Sequence, residues 1–210
     1  MPDFLSIAVP KGRVLEQLAP RLERAGIDST PLTRRSRKLV REDHERGLRY
    51  FLLKPDDVPT YVEFGTADIG IVGRDVLDER RYDLYAPLDL EIGRCRMAVA
   101  GPEGASLGEG MSRPLRIGTK FPQIAQRHFS QKGVPVEIIF LQGSVELAPI
   151  TGLSDVIVDI VETGETLNQN GLVELETIST VSSMVVVNRA SLKLKGERIV
   201  PLLQSLRTQA

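Results

Sequence analysis

Short apolar runs that end at glycine or proline alternate with amphipathic stretches along the whole chain, and this alternation constrains the fold most. The run at residues 4–9 is closed by Pro10 and Gly12, and a helical pattern with Leu18 and Leu22 on one stripe follows it. Comparable runs recur at 68–72, 94–100, 115–118, 136–141 and 155–159. Strands that alternate with helices are typical of α/β proteins with largely parallel sheets. The sequence therefore predicts an α/β fold of that kind.

The composition argues against several classes of protein. The 210 residues carry a formal net charge of −1, so no global field draws the chain to nucleic acid or to an anionic membrane. No stretch approaches the roughly 18 apolar residues that a membrane span requires, and the N-terminus lacks the basic region of a signal peptide. Cys95 is the only cysteine, which excludes an intramolecular disulfide and a cysteine metal cluster. We expect a cytoplasmic protein that binds neither nucleic acid nor membrane.

One pattern occurs twice. Gly65 and Asp68 precede an apolar run that ends at Gly73, and Gly152 and Asp155 precede the run at 155–159. Two buried strands of an α/β protein can resemble each other by chance. The alternative is two related lobes, with a boundary near the glycine-rich loop at 101–113. The sequence alone leaves both interpretations open.

The segment that carries the most chemical information follows the second of these runs. Asp159 and Glu162 lead into Thr163-Gly164-Glu-Thr166. A glycine lets the backbone approach a ligand closely, and successive N–H groups with two hydroxyls suit a phosphate monoester. The acids suit the hydroxyls of a ribose or a bridging Mg²⁺. The competing interpretation is an ordinary capped helix start, because threonine and glutamate are favoured there.

Four segments in order make the pattern specific. They are AVPKGR at 8–13, DVPTYVE at 57–63, ADIGIVGRD at 67–75 and GLSDVIVDIVETGETL at 152–167. Together they resemble the ATP phosphoribosyltransferase family. The resemblance implies two α/β lobes of the type II periplasmic-binding-protein architecture with a substrate cleft, formed by 1–92 plus 179–210 and by 93–178. It also implies that N1 of ATP is joined to C1 of phosphoribosyl pyrophosphate with release of pyrophosphate, a Mg²⁺-dependent reaction that opens L-histidine biosynthesis.

The same resemblance, taken with the residue types, gives each candidate site residue a role. Phosphoribosyl pyrophosphate is expected to contact Asp159, Glu162, Thr163, Gly164, Glu165 and Thr166. ATP or pyrophosphate is expected to contact Lys11, Gly12, Arg13 and Gly73, since the first three follow the first strand, where open α/β sheets bind ligands. Lys54 and Arg37 are expected to be catalytic, and direct ligation of the metal by the protein is not predicted.

Two of these expectations have explicit alternatives. Many family members place arginine where this chain has Lys54, and a lysine keeps the charge but loses the bidentate fork. Arg37 lies in a run with four other cations between residues 34 and 41, and such runs are usually solvated faces or subunit contacts. The Lys-Gly-Arg turn at 11–13 has the corresponding alternative of a solvent-exposed basic turn.

The chain length and the resemblance together suggest a partner. Long members of the family append a regulatory domain, whereas this sequence ends at Ala210 soon after its last predicted helix. We therefore expect a short form, built on a homodimer and associated with a regulatory subunit related to histidyl-tRNA synthetase. A non-enzymatic small-molecule binder with the same two lobes is the alternative function. A DNA-binding regulator is a weaker one, because the sequence shows no helix-turn-helix segment.

Overall fold

A computed structural model describes residues 4–207 of the chain. The elements follow one another in this order: β1 (Leu5–Pro10), α1 (Arg13–Arg24), α2 (Thr30–Thr33), β2 (Val40–Asp43), β3 (Leu48–Leu53), a 3-10 turn (Pro55–Asp57), α3 (Val58–Glu63), β4 (Ile69–Gly73), α4 (Arg74–Glu79), β5 (Tyr85–Asp89), β6 (Cys95–Gly101), β7 (Leu115–Thr119), α5 (Pro122–Gln131), β8 (Val136–Phe140), α6 (Leu147–Ile150), β9 (Val156–Val161), α7 (Glu165–Gln169), β10 (Val173–Val181), β11 (Ser183–Val187), α8 (Arg189–Leu194) and α9 (Gly196–Arg207).

These elements form two compact units. Unit 1 contains the described residues up to Leu77, Arg81–Gly93 and the described residues from Ser182 onward, and unit 2 contains Asp78–Arg80 and Arg94–Val181. The sequence predicts lobe boundaries after residues 92 and 178, and the assignment of functional lobes stays a prediction. Within residues 4–207, no helix is both long enough and apolar enough to cross a membrane.

Unit 1 is built on a six-stranded sheet with the order β2-β3-β1-β4-β11-β5. β1 is buried along its whole length because helices cover both faces of the sheet at this position. One face packs on α1 and α9, with Leu18, Leu22 and Ile199 in the core. The other packs on α3 through Val58 and Val62. Pro20 lies inside α1 without ending it, since the apolar stripe of the helix continues past it.

Unit 2 is built on a five-stranded sheet with the order β10-β6-β9-β7-β8. Its larger core cluster joins the central strands to α5 through Ile117, Val158 and Phe129. A second cluster on the other face contains Ile157, Ala148 and Leu167, which bring α6 and α7 onto the sheet. The central strand β9 therefore packs against a core cluster on each face of the sheet, and these two clusters position the residues that follow it.

The two sheets share one connectivity. The order β3-β1-β4-β11-β5 corresponds to β8-β7-β9-β6-β10. In each sheet the first three strands pair in parallel, and the fourth strand is antiparallel to both of its neighbours. Asp68 accepts a hydrogen bond from the Ser6 N–H at 2.8 Å, and Asp155 accepts one from the Arg116 N–H at 2.9 Å. Each aspartate therefore ties the start of one parallel strand to its neighbour. The repeated sequence pattern reflects this shared arrangement and not chance.

The structure corrects three details of the sequence-based prediction. The sheets are mixed, not largely parallel, because β2, β5, β6, β10 and β11 run antiparallel to their neighbours. β10 is a nine-residue strand that the sequence pattern did not indicate. Finally, the sequence pattern from Ser144 to Ile150 predicts a helix, but the structure confines that helix to Leu147–Ile150. The α/β class itself is confirmed.

Candidate functional site

In unit 2 the candidate phosphate loop leaves the sheet at the end of β9. β9 ends at Val161, residues 162–164 form the turn, and α7 begins at Glu165. Gly164 lies in the left-handed region with φ 83°, and a Cβ added there would find its nearest neighbours at 3.9 Å. The backbone at Gly164 is therefore uncrowded, and its conformation is one that other residues adopt only with strain.

The loop holds several hydrogen-bond donors that the rest of the described chain does not use. Within residues 4–207, the N–H groups of Thr163, Gly164 and Thr166 have no hydrogen-bond acceptor. The Thr163 hydroxyl accepts from the Glu165 N–H at 3.3 Å, and the side chains of Thr163 and Thr166 are exposed. Three unused N–H groups and two hydroxyls in one turn are the donors that a phosphate monoester requires.

Three carboxylates accompany these donors. Asp159 is half-buried and accepts from the Ile160 N–H at 2.8 Å, whereas Glu162 and Glu165 are exposed. Glu165 also accepts from the Gln169 amide at 3.1 Å, which orients it along α7. Among the described residues, no group of three or more acidic, histidine or cysteine side chains is arranged to hold a metal ion. Carboxylate oxygens of this kind are ligands that Mg²⁺ prefers in proteins.

Arg96 of β6 contacts the loop and was not indicated by the sequence. Its Nη1 donates to the Glu162 carbonyl oxygen at 2.9 Å, and its Nε donates to Glu174 Oε2 at 2.6 Å. Burial alone would raise the pKa of Glu174, but hydrogen bonds from Thr177 and from Arg96 hold it below its usual value. Glu174 therefore stays ionised as the partner of Arg96.

In unit 1, two of the predicted residues, Lys11 and Lys54, lie at one edge of the sheet. β3, β1 and β4 are adjacent and parallel, so their carboxyl ends meet there. Lys11 and Lys54 follow the register pair Pro10 and Leu53, and the Lys11 N–H donates to the Leu53 carbonyl at 3.0 Å. Both lysine side chains are exposed. Two cations at adjacent strand ends form a surface suited to phosphate oxygens.

Two glycines shape this edge. Gly12 has φ 90°, and no heavy atom lies within 4 Å of the position of an added Cβ, so its backbone is open to a ligand before α1 begins at Arg13. Gly73 ends β4, and there a Cβ would overlap the carboxylate of Asp75. Asp75 is buried, so a side chain at position 73 would displace it. Gly73 is required by this close approach, not by an unusual φ.

The cationic segment at 34–41 runs from the end of α2 into β2, and Arg41 of β2 has a structural role in it. The Arg41 guanidinium donates to the carbonyls of Leu32 at 2.7 Å, Arg34 at 2.8 Å and Pro31 at 2.9 Å, and to those of Ser36 and Lys38. Arg41 thus donates hydrogen bonds to carbonyl oxygens at the end of α2, where a helix has no further N–H donors for them, and so shapes the segment. Arg37 is exposed on the segment that Arg41 organises. The predicted residues therefore fall into two groups, one in each unit.

Comparison with known proteins identifies the family. The family model described as ATP phosphoribosyltransferase matches residues 54–208. The chain belongs to the ATP phosphoribosyltransferase family. This confirms the family, the enzyme class and the function expected from the sequence: phosphoribosyl transfer to ATP, the first step of histidine biosynthesis. Enzymes of the family use a metal ion.

Two curated relatives cover nearly the whole chain. An ATP phosphoribosyltransferase of Sorangium cellulosum is 58% identical over 207 residues, which are 99% of this chain and 96% of the relative. The protein named ATP phosphoribosyltransferase 2 of Geobacter sulfurreducens is 51% identical over 208 residues, and 98% of each chain is covered.

Two solved structures resemble this chain. A chain of the ATP phosphoribosyl transferase (HisG:HisZ) complex from Thermotoga maritima has a TM-score of 0.82 and 42% identity, with 98% of this chain and 97% of that chain covered. The periplasmic aliphatic sulphonate binding protein SsuA from Escherichia coli has a TM-score of 0.61 and 15% identity, covering 100% of this chain and 73% of that one. The second likeness shows the fold alone, and it confirms the predicted periplasmic-binding-protein class.

Proposed function

We propose that this chain joins N1 of the adenine of ATP to C1 of phosphoribosyl pyrophosphate, and that the loop at 159–166 holds the ribose 5-phosphate. The bond from C1 to the pyrophosphate oxygen breaks as the new bond to N1 forms, with inversion at C1. The observation that carries the proposal is the set of unused N–H donors at Thr163, Gly164 and Thr166. This set directly follows β9, which packs against a core cluster on each face of the sheet, so the sheet positions the start of the loop.

The remaining loop residues complete the contacts to the ribosyl group. The hydroxyls of Thr163 and Thr166 donate to phosphate oxygens, while Gly164 keeps the backbone close. Asp159, Glu162 and Glu165 would repel a bare phosphate, but their carboxylates accept from the ribose hydroxyls and face the positive charge that develops on the ring.

The cations of unit 1 suit the opposite charge in the reaction. Lys11, Arg13, Lys54 and Arg37 offset the negative charge that grows on departing pyrophosphate or the charge of the ATP phosphates. Gly12 and Gly73 allow the backbone to approach these groups closely. Adenine N1 has its own lone pair, so the protein has to align the reactants and needs no strongly activated side-chain nucleophile.

We propose Mg²⁺ as the metal ion. Magnesium usually keeps several waters and binds through one or two carboxylates together with substrate phosphates. Asp159 and Glu162 fit this description because they are two carboxylates at the proposed phosphate loop, where Mg²⁺ would share ligands with the diphosphate. When bound, the ion neutralises charge on the leaving group.

We also propose an assembly and a location. The Thermotoga maritima relative is a HisG:HisZ complex, and we infer that this chain associates with a HisZ-type regulatory subunit on a homodimeric core. The functional lobes are 1–92 plus 179–210 and 93–178. We place the reaction in the cytoplasm, as expected for amino-acid biosynthesis.

The test is a spectrophotometric assay of N1-(5-phosphoribosyl)-ATP with ATP, phosphoribosyl pyrophosphate and Mg²⁺, with and without the regulatory subunit. Thr166→Ala is expected to lose most of the activity. Thr151→Ala is the matched control, because the Thr151 hydroxyl bonds only to carbonyls near its own helix, at 2.9 and 3.3 Å. Absence of product under both conditions, with tight binding of an unrelated small molecule, would favour the binding protein instead.

A further inference from the structure

Arg96 lies on β6 at a position from which its side chain reaches both the phosphate loop after β9 and the neighbouring strand β10. β6 lies between β9 and β10 in the sheet of unit 2. Arg96 is the register partner of Val161, the last residue of β9, and on its other side it is the partner of Thr180. Its Cα therefore lies at the level where the loop leaves the sheet.

The Arg96 side chain links the loop to an acidic anchor. Nη1 donates to the Glu162 carbonyl oxygen at 2.9 Å, while Nε donates to Glu174 Oε2 at 2.6 Å. Glu174 in turn accepts from the Thr177 hydroxyl at 2.6 Å through its other oxygen. The Arg96 side chain is 34% exposed and that of Glu174 is 21% exposed, so this pair is not a freely solvated surface pair.

The contact with the Glu162 carbonyl determines where the next N–H points. In a trans peptide unit the C=O of one residue and the N–H of the next point in opposite directions. Holding the Glu162 carbonyl on Arg96 therefore directs the Thr163 N–H away from β6. That N–H is one of the loop donors without an acceptor among residues 4–207. The remaining Arg96 nitrogen, Nη2, lies 3.9 Å from the position of a Cβ on Gly164.

We propose that Arg96 is a positioning residue for phosphoribosyl pyrophosphate, which holds the Glu162 carbonyl aside and so presents the Thr163 and Gly164 N–H groups to the 5-phosphate. The inference rests on the proposed function of the loop. Glu174 fixes the guanidinium in the orientation that this role requires. The charge of Arg96 also offsets the loop carboxylates, which would otherwise oppose a dianionic phosphate.

The experiment measures the Kd of phosphoribosyl pyrophosphate with Mg²⁺, the Kd of ATP and the midpoint of thermal unfolding for the full chain and three variants. Arg96→Gln removes the clamp, and Arg96→Lys keeps the charge without the fork that bonds two acceptors. Arg113→Gln is the matched control. Arg113 is also an arginine of unit 2 paired with a carboxylate, Asp155, at 2.6 and 2.8 Å, but it has no contact with the loop.

The expected result is a selective loss. Arg96→Gln raises the Kd of phosphoribosyl pyrophosphate by about 10- to 100-fold, the factor expected for a lost charged hydrogen bond, and leaves the Kd of ATP unchanged. Arg96→Lys recovers only part of that loss, and Arg113→Gln leaves both constants at the wild-type values. The inference is overturned if Arg96→Gln and Arg113→Gln bind phosphoribosyl pyrophosphate equally well.

Two further readouts separate the possible failures. A wild-type chain that does not bind phosphoribosyl pyrophosphate refutes the proposed function, and the inference with it. If Arg96→Gln does not fold, Glu174→Gln replaces it, because the amide keeps the shape of the carboxylate and loses its charge. An increase of several-fold in the Kd of phosphoribosyl pyrophosphate for Glu174→Gln supports the clamp, and an unchanged value refutes it.

Discussion

Replacing Gly164 by alanine isolates the contribution of one backbone conformation to substrate binding. Gly164 has φ 83°, and the added Cβ would lie 3.9 Å from its nearest neighbours, so the methyl group fits without overlap. The cost is therefore conformational. A left-handed residue with a side chain costs about 1–2 kcal/mol, of which the stiffer unfolded chain returns roughly 0.4–1 kcal/mol.

A matched control carries the same strain elsewhere in unit 2. Gly133 has φ 70° at the end of α5, and no heavy atom lies within 4 Å of its Cβ position. Both Gly164→Ala and Gly133→Ala should lose about 1 kcal/mol of unfolding free energy, which corresponds to roughly 2–4 °C in Tm for a chain of this size. Thermal unfolding of the two purified variants measures this directly.

Only Gly164→Ala should lose affinity for phosphoribosyl pyrophosphate. Relief of the strain in Gly164→Ala rotates the N–H groups on either side of the residue, and loss of one charged hydrogen bond raises the KM of phosphoribosyl pyrophosphate by roughly tenfold or more. Steady-state kinetics with saturating ATP measures it. Equal KM values for the two variants at equal Tm would refute the claim that the Gly164 backbone faces the phosphate.

Three other changes test separate features. Arg41→Gln removes the guanidinium that donates to the carbonyl oxygens after α2, and the resulting disorder of the cationic segment should raise the KM of ATP or pyrophosphate several-fold. Arg41→Lys should restore only part of this loss. Product-inhibition kinetics measures both variants. Gly70→Ala places a Cβ 2.7–2.8 Å from two valines of α3 and should cost about 1–3 kcal/mol in chemical denaturation. The pKa of Asp155 is lowered in the folded state, chiefly by the hydrogen bond from Arg113. The ionised carboxylate therefore stabilises the fold fully above the unfolded-state pKa of about 4, and this stabilisation is lost as the pH falls toward the lower folded-state pKa. Asp155→Asn should therefore flatten the decline in Tm between about pH 4 and pH 2, and an unchanged slope would contradict the assignment.

The parts of the fold that could be predicted are those that short-range patterns encode. Buried strands such as β1 and β9 are continuous apolar runs, and the glycines at 12 and 164 mark turns that do have positive φ. β10 was missed because register shifts between Glu174 and Glu176 and between Thr177 and Ser179 interrupt its alternation. The mixed direction of the sheets was missed because antiparallel returns such as β6 and β11 are equally apolar runs.

The candidate site shows the same division. The sequence identifies the loop at 159–166 because its donors are consecutive residues. It does not identify Arg96, which reaches the loop from 66 positions away along the chain. In the sequence, Arg41 is one of five cations in a short run, and only its hydrogen bonds to backbone carbonyls in the structure distinguish it from Arg37. Side chains that act through tertiary contacts leave no local signal.

The most direct test of the central claim is a crystal structure of the chain with phosphoribosyl pyrophosphate and Mg²⁺ bound. The account predicts the 5-phosphate within hydrogen-bond distance of the N–H groups of Thr163, Gly164 and Thr166, with Arg96 still on the Glu162 carbonyl. A 5-phosphate bound instead by Lys11 and Arg13, with the loop donors facing water, would contradict it.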